Sequence, residues 1–343
     1  MWKLIKLVST MMVIINLITS CSNYQRYYIA LGDSVSSGYG LNGYPASPEG
    51  RHPSVFFARL KSEGVVDEHR NMAASGLTTT SLLEQLNNMS GDELRRFRNA
   101  RIVTVNIGGN NILMPFLTYL SDSQLLSGVG NIRAGAGGAL SGAWAILHEI
   151  VSGIGGVISD STETSFSIGN VVTGLVNIAS GVRELTGGAR EMIDGSPNIV
   201  STWKGVLSPE LEAVLKEGVQ TFSDEFKEII RWLNRNAPDA RIIVNTIYNP
   251  IPQDILLVSV PISYWANAFI GSINDVIIEE SKSKTFLVTD INFYFSNRPD
   301  LMNFNLNPFA GGLSLDIIHP NIKGHSLIAK LNHATFKRYI QDR

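Results

Sequence analysis

Ser34, His319 and Asp316 are the residue types that acyl transfer requires, and the chain sets them in short blocks far apart. The first block is Leu31-Gly32-Asp33-Ser34-Val35-Ser36-Ser37-Gly38. The second is Ile107-Gly108-Gly109-Asn110-Asn111, and the last is Asp316-Ile317-Ile318-His319-Pro320-Asn321. A serine hydroxyl is a poor nucleophile near neutral pH and needs an adjacent base. His319 would take that proton and later return it to the leaving alcohol. Asp316 stands three residues earlier, so one helical turn can bring its carboxylate to the far ring nitrogen and fix the tautomer. A side-chain amide after a strand, as in Asn110, is a donor suited to a developing oxyanion. Taken singly, each block has a plainer explanation, since a serine after aspartate in a glycine turn serves equally as a turn or a helix cap. Together, in this order and each beside an expected strand end, they point to ester cleavage.

The other histidines compete weakly. His52 has Glu49 three residues before it but sits in no comparable block, and His69, His148 and His333 lack a carboxylate at that spacing. His325, in Pro320-Asn321-Ile322-Lys323-Gly324-His325, reads as a residue of the last helix. Asp33, being the immediate neighbour of Ser34, suits bracing of the loop better than membership of a triad.

These groups need a scaffold, and the hydrophobic pattern supplies one. Tyr27 to Leu31 and Ile102 to Ile107 read as buried strands, with a weaker one between Gly64 and Met72. Arg241 to Ile247 and Thr285 to Thr289 follow as further strands. Helices are expected over Ser54–Lys61, Thr78–Leu86, Ser208 to about Asn236, and roughly Ser263–Ser281. Ser208-Pro209-Glu210 is a helix start, with a cap residue, a first-turn proline and an acid at the positive end. Strands alternating with helices imply a parallel sheet covered on both faces. Ligands of such sheets bind at the carboxyl ends of the strands, and Ser34, Gly76 and Asn110 each follow one of the first three.

Two segments stand apart. Residues 1–20 carry Lys3 and Lys6 before an apolar run from Leu7 to Ile18, then Ile18-Thr19-Ser20-Cys21. A positive start, a short apolar core and small residues before a cut site make an export signal. The ending resembles a bacterial lipobox, which implies cleavage before Cys21, lipidation of its thiol and an extracytoplasmic, membrane-anchored protein. An ordinary signal peptide with an incidental cysteine, or an uncleaved anchor, are the plainer readings. Residues 128–188 hold 14 of the chain's 31 glycines, and their only Asp, Glu, Lys or Arg residues are Arg133, Glu149, Asp160, Glu163, Arg183 and Glu184. Helical stripes survive there (Ile146, Ile150 and Ile154; Val171, Leu175, Ile178, Val182 and Leu185), so the segment reads as an inserted helical cap over about 117–205. Such a cap could line an acyl groove or merely shield a core. Its longest uncharged run holds too many polar residues for a membrane span.

The chain as a whole has 343 residues, 44% hydrophobic and 17% charged, with a formal net charge of -2. That length suits a single exported domain over 21–343, and no basic cluster suggests a nucleic-acid partner. The lone cysteine allows no internal disulfide, and no histidine pair has zinc-ligand spacing on a helix, so neither metal nor cofactor is expected. Gly135 to Gly138 lacks the strand and the Lys-Thr/Ser of a nucleotide loop.

The blocks together resemble the SGNH hydrolase superfamily, the GDSL-type lipases and esterases, named for a Ser, Gly, Asn and His in four separated blocks. Here these are Ser34, Gly76, Asn110 and His319. The resemblance covers about 28–112 and 240–335. It implies a flavodoxin-like three-layer α/β/α sandwich with strand order 2-1-3-4-5 and Ser34 as nucleophile. It also implies oxyanion donors from the backbone N–H of Ser34 and Gly76 and from the Asn110 side chain. Gly76 is equally explained as a strand-to-helix turn. The chain departs from the pattern at Val35, where the motif has leucine. It departs again at Asn111, where members often carry Asp, which bears on a supporting hydrogen bond near the site. The superfamily spans lipases, phospholipases, thioesterases and carbohydrate deacetylases, so fold and triad leave the ester open. The tether and the apolar insertion favour lipid-derived acyl esters. The alternatives are an extracytoplasmic carbohydrate O-deacetylase and a non-catalytic surface binding lipoprotein; the intact Ser34, Asp316 and His319 argue against the latter.

Overall fold

The computed structural model describes residues 25–45, 50–122, 209–250, 259–303, 316 and 318–341. Five parallel strands form its centre: β1 (Tyr27–Gly32), β2 (Glu68–Asn71), β3 (Ala100–Asn106), β4 (Arg241–Asn245) and β5 (Leu287–Thr289). Their order is β2-β1-β3-β4-β5, as the resemblance implies. Registers run from Tyr28 beside Ile102 to Gly32 beside Asn106, and from Ile102 beside Arg241 to Val105 beside Val244.

Side chains alternate across a strand, so consecutive residues feed opposite layers. Ile29, Leu31, Val103, Val105, Ile242 and Val244 face one side. They pack there with α3 (Thr79–Asn87), α4 (Gly91–Arg98), α6 (Pro209–Asn236) and α7 (Ser259–Ser281). Tyr28, Ala30, Ile102 and Ile243 face the other, against Phe56 and Leu60 of α2 (His52–Ser62) and Phe336 of α9 (Ile322–Gln341), which follows the short α8 (Ile291–Phe295) in the chain. Both faces are therefore apolar, which is why the central strands read as unbroken hydrophobic runs. Full burial of a side chain such as Phe226 contributes ~1.5–3 kcal/mol.

β4 and α4 differ most from expectation, whereas β2 lies where the weaker strand was expected. β4 stops at Asn245, two residues early, because Asn274 of α7 takes over the main chain of Ile247. Its Oδ1 accepts from Ile247 N at 2.7 Å and its Nδ2 donates to Ile247 O at 2.8 Å. β2 is a four-residue edge strand with alternate residues exposed, which explains its weak apolar pattern. α4 was not anticipated, although Ser90 caps it and Asp92 and Glu93 fill its first turn. α6 spans the segment expected from its cap and stripe, with Leu211, Leu215, Phe222, Phe226 and Leu233 buried. The leader, Cys21 and the proposed cap lie outside the described residues, except that α5 (Gly109–Asp122) reaches into the cap's first residues. Among the described residues no helix is long and apolar enough to cross a membrane.

Candidate active site

Ser34 opens a single helical turn, α1 (Ser34–Ser37), directly at the end of β1. Asp33 is the cap of that turn, its Oδ1 accepting from Val35 N at 3.0 Å. The Ser34 carbonyl is held by Gly38 N, Tyr39 N and Ser37 Oγ, each at 3.0 Å, so the residue's backbone is fixed. Its side chain borders a cavity of about 200 Å³. Asp33, Asn106 and Asn110 share that border; Ile112, Leu113 and Phe116 of α5, Leu215 of α6, and Phe269 and Ile270 of α7 make the remainder apolar.

The Asp316–His319 pair forms as the spacing predicts. Asp316 Oδ1 lies 2.8 Å from His319 Nδ1 and also accepts the backbone N–H of Ile318 and of His319 at 3.2 and 3.1 Å. Asn303 Nδ2 donates to Asp316 Oδ2 at 3.2 Å and to Gly40 O at 3.0 Å. Burial works against the charge on Asp316, but the hydrogen bonds and charge of His319 outweigh it and hold the carboxyl below its ordinary range. An ionised Asp316 can only accept, so Nδ1 carries the proton and Nε2 of the neutral ring is left as the base. Gly40 is required at this spot, since a Cβ there would fall 2.5 Å from Asp316 Oδ2.

Tyr39 links the two halves. Its N–H binds the Ser34 carbonyl at 3.0 Å while its ring lies against the imidazole of His319, centroids 4.6 Å apart. Ile318, next to the base, borders the same cavity as Ser34. Among the described residues no hydrogen bond joins Ser34 Oγ to His319; such contacts commonly tighten only when substrate is bound.

On the other side Asn110 borders the cavity and is tied to Leu77, the residue after Gly76, while Gly76 itself does not border the cavity. Asn110 lies in the first turn of α5, and its Nδ2 donates to Leu77 O at 2.9 Å, leaving its second hydrogen for another acceptor. Gly76 adopts φ +81 and is exposed, with nothing within 4 Å of a Cβ built on it. Its loop is tied to the Ser34 turn through Ser75 Oγ, 3.3 Å from Ser37 Oγ. Asn111 does form a supporting contact near the site: its amide engages both the N–H and the hydroxyl of Thr79, at 3.1 and 2.7 Å.

Burial pushes the Asp33 carboxyl up to about 6; the Val35 N–H, the nearby His319 charge and the Asn106 amide (3.4 Å) pull against it. Its observed contacts are those of a cap and brace. His325 lies buried in α9, its Nδ1 accepting from His52 N at 3.2 Å, and His52 Nε2 is 3.2 Å from Ser36 Oγ. Neither ring borders the cavity. His69 stacks on Tyr28 and Phe57, and His333 pairs with Glu63 at 2.9 Å on the surface. His148 lies outside the described residues. No group of residues able to hold a metal occurs among the described residues.

Sequence reasoning missed Tyr39, Tyr248 and Asn303. Tyr248 follows β4 and borders the cavity, and its hydroxyl donates to Ile318 O at 2.8 Å; its place after a strand end was the available signal. Nothing in the sequence marks Asn303.

Residues 30–166 match the model of the GDSL-like lipase/acylhydrolase family. No curated protein matches the chain. A lipase, Lip_vut3 from a goat rumen metagenome, shares the fold with a TM-score of 0.52 at 14% identity, over 90% of this chain and 96% of that one. A phospholipase A1 from Streptomyces albidoflavus NA297 does so with a TM-score of 0.50 at 14% identity, over 91% and 99%.

Proposed function

Because residues 30–166 match the GDSL-like lipase/acylhydrolase family, we propose that this chain is an SGNH hydrolase of the GDSL lipase and esterase type, a serine esterase cleaving carboxylic acyl esters through an acyl-enzyme. Hydrolysis of an ester is the family's chemistry; the finer reading rests on the site. His319 Nε2 takes the Ser34 proton as Ser34 Oγ attacks the carbonyl carbon. The backbone N–H of Ser34 and Gly76 and the free hydrogen of Asn110 Nδ2 receive the oxyanion. Collapse of that intermediate expels the alcohol, which takes the proton from His319. Water, deprotonated by the same nitrogen, then cleaves the acyl-enzyme. Asp316 holds the ring's tautomer and offsets its charge during both steps.

The observation that carries the substrate class is the apolar cavity bordered by both Ser34 and Asn110. An acyl chain placed between Phe116, Phe269 and Ile270 would gain ~0.8 kcal/mol per buried methylene. Lipid-derived esters fit that lining better than an acetylated sugar does. The lipobox-like ending at Cys21 supports an exported, membrane-anchored enzyme.

A panel of p-nitrophenyl esters from C2 to C8 and longer, run on protein lacking residues 1–21, tests both parts. Turnover is expected to hold or rise with chain length, and Ser34→Ala is expected to abolish it together with fluorophosphonate labelling. Activity confined to acetate would favour the carbohydrate O-deacetylase. Wild-type turnover by Ser34→Ala would end the mechanism.

A further inference from the structure

We infer that Glu225 of α6 is a positioning residue for the oxyanion donors: by accepting the Thr79 hydroxyl proton, its carboxylate locks the Gly76 loop to the Asn110–Asn111 turn. The inference rests on the esterase reading above.

The argument is a count of hydrogens. Asn111 is buried, and its Nδ2 donates to Thr79 Oγ1 at 2.7 Å while its Oδ1 accepts from Thr79 N at 3.1 Å. A hydroxyl has one proton, and with a lone pair already engaged by Asn111 that proton must go elsewhere. Glu225 Oε2 is 2.5 Å away and receives it. Thr80 Oγ1 donates to the same oxygen at 2.9 Å. Two hydroxyl donors thus converge on one carboxylate oxygen, which makes charge-assisted bonds stronger than neutral ones. The carboxylate also sits at the first turn of α3, its electropositive end.

What the relay joins matters for the reaction. Thr79 is three residues beyond Gly76, and Asn111 is the neighbour of Asn110. The Asn110 amide is oriented by Leu77 O at 2.9 Å, so any slip of the α3 start against α5 moves both proposed donors together. α6 spans both partners with one face. Gly218, two turns before Glu225, lies so close to α5 that a Cβ there would fall 2.1 Å from Asn111 O. Contact at Gly218 fixes α5, and contact at Glu225 fixes α3. Glu225 itself does not border the cavity, so its effect reaches the substrate only through these two segments.

The test is ester kinetics on wild type, Glu225→Ala, Glu225→Gln, Asn111→Asp and the Asn111→Asp/Glu225→Gln double variant. Misplaced donors lower transition-state stabilisation more than ground-state binding, so Glu225→Ala should lower kcat about tenfold with KM within about twofold. Glu225→Gln keeps an acceptor and should recover most of kcat. Asn111→Asp sets two carboxylates on one hydroxyl proton and should lower kcat. The double variant reverses the relay, with Thr79 donating to position 111 and accepting from position 225, and should restore turnover above Asn111→Asp alone. A side chain that merely fills space would not give that restoration. The inference is overturned if kcat of Glu225→Ala is within about twofold of wild type, or if the double variant is as poor as its two single losses multiplied. Should Glu225→Ala fail to fold, the double variant decides. Absence of ester turnover in wild type overturns the esterase reading itself, whereas normal wild-type turnover with an unaffected Glu225→Ala overturns this inference alone.

Discussion

The two sides of the site are built on different physics. The base side gathers charge-assisted hydrogen bonds on one half-buried carboxylate: Asp316 receives the ring of His319, two backbone N–H groups and Asn303. On the oxyanion side Asn110 is oriented by a single neutral bond, from its amide to Leu77 O. The charged support of that side is Glu225, one hydroxyl removed from the Asn111 amide. A protonation state must be held on one side and a geometry on the other. Loss of the first should therefore change the pH dependence and the rate together, and loss of the second the rate alone.

The largest effect should come from Asp316→Asn. The substituted amide can present N–H to Nδ1 and select the wrong tautomer, and the cost is about 10⁴-fold in kcat by comparison with other triads. A steady-state pH profile checks it: the loss should shrink as pH rises if hydroxide replaces the base, and a loss under about tenfold would show that Asp316 does not orient His319. Next comes Asn110→Ala, which removes one donor from the other side. Its cost is ~2.7–4 kcal/mol of transition-state stabilisation, roughly 10²–10³-fold in kcat, with the pH profile unchanged. A shifted profile for this variant would dissolve the distinction between the two sides.

How far the sequence revealed this division follows from where the information resides. The strands and the Asp316–His319 pair rest on local pattern, runs of buried residues and a spacing of three that a single turn closes, whereas the strand order followed only from the family resemblance. Ser34 was legible because cap, nucleophile and glycine occur within one block. Asn303, Tyr39 and Glu225 were not, because each acts through tertiary contact with a residue far away in the chain. Asn303 reaches Gly40 across 263 positions, and Glu225 reaches Thr79 across 146. The two-residue shortening of β4 was likewise invisible, since a side chain from α7 caused it. Asn111 looked like a lost support when judged by residue type, yet its amide serves the Gly76 side through Thr79.

A third region sits beneath both sides and should govern acid stability. His52 and His325 are buried, and His52 Nδ1 and His325 Nε2 have no hydrogen-bond partner among the described residues. Burial, with the His319 charge adding to it, lowers His325 to about 3; burial with the charges of His325, His69 and Arg51 lowers His52 as well. A folded pKa below the unfolded one means that the unfolded chain binds protons first. Stability is then complete above about pH 6.5 and is lost as pH falls from there toward the folded value. For His325 alone the loss is about 3 kcal/mol by pH 4. Urea unfolding at pH 8, 6 and 4 measures it, and His325→Gln should flatten that dependence. An unchanged slope in that variant would place the acid-labile group elsewhere.

The smallest and most discriminating change is Tyr248→Phe, because Tyr248 belongs to the base side and to the cavity wall at once. Its hydroxyl donates to the carbonyl of Ile318 at 2.8 Å, and its ring stacks on Phe295 with centroids 4.6 Å apart. Burial, reinforced by Asp33 and Asp316, raises its pKa well above the usual value, so the phenol remains a donor throughout the working range. Removing the oxygen keeps the ring and the apolar wall but frees the carbonyl next to His319. A neutral hydrogen bond is worth about 1 kcal/mol net, so kcat should fall roughly fivefold as the base loosens. The preference for acyl length should stay as in wild type, because the wall has not changed shape. If the length preference shifts while kcat on short esters holds, Tyr248 serves the substrate rather than the base, and the boundary between the two sides runs through a different residue.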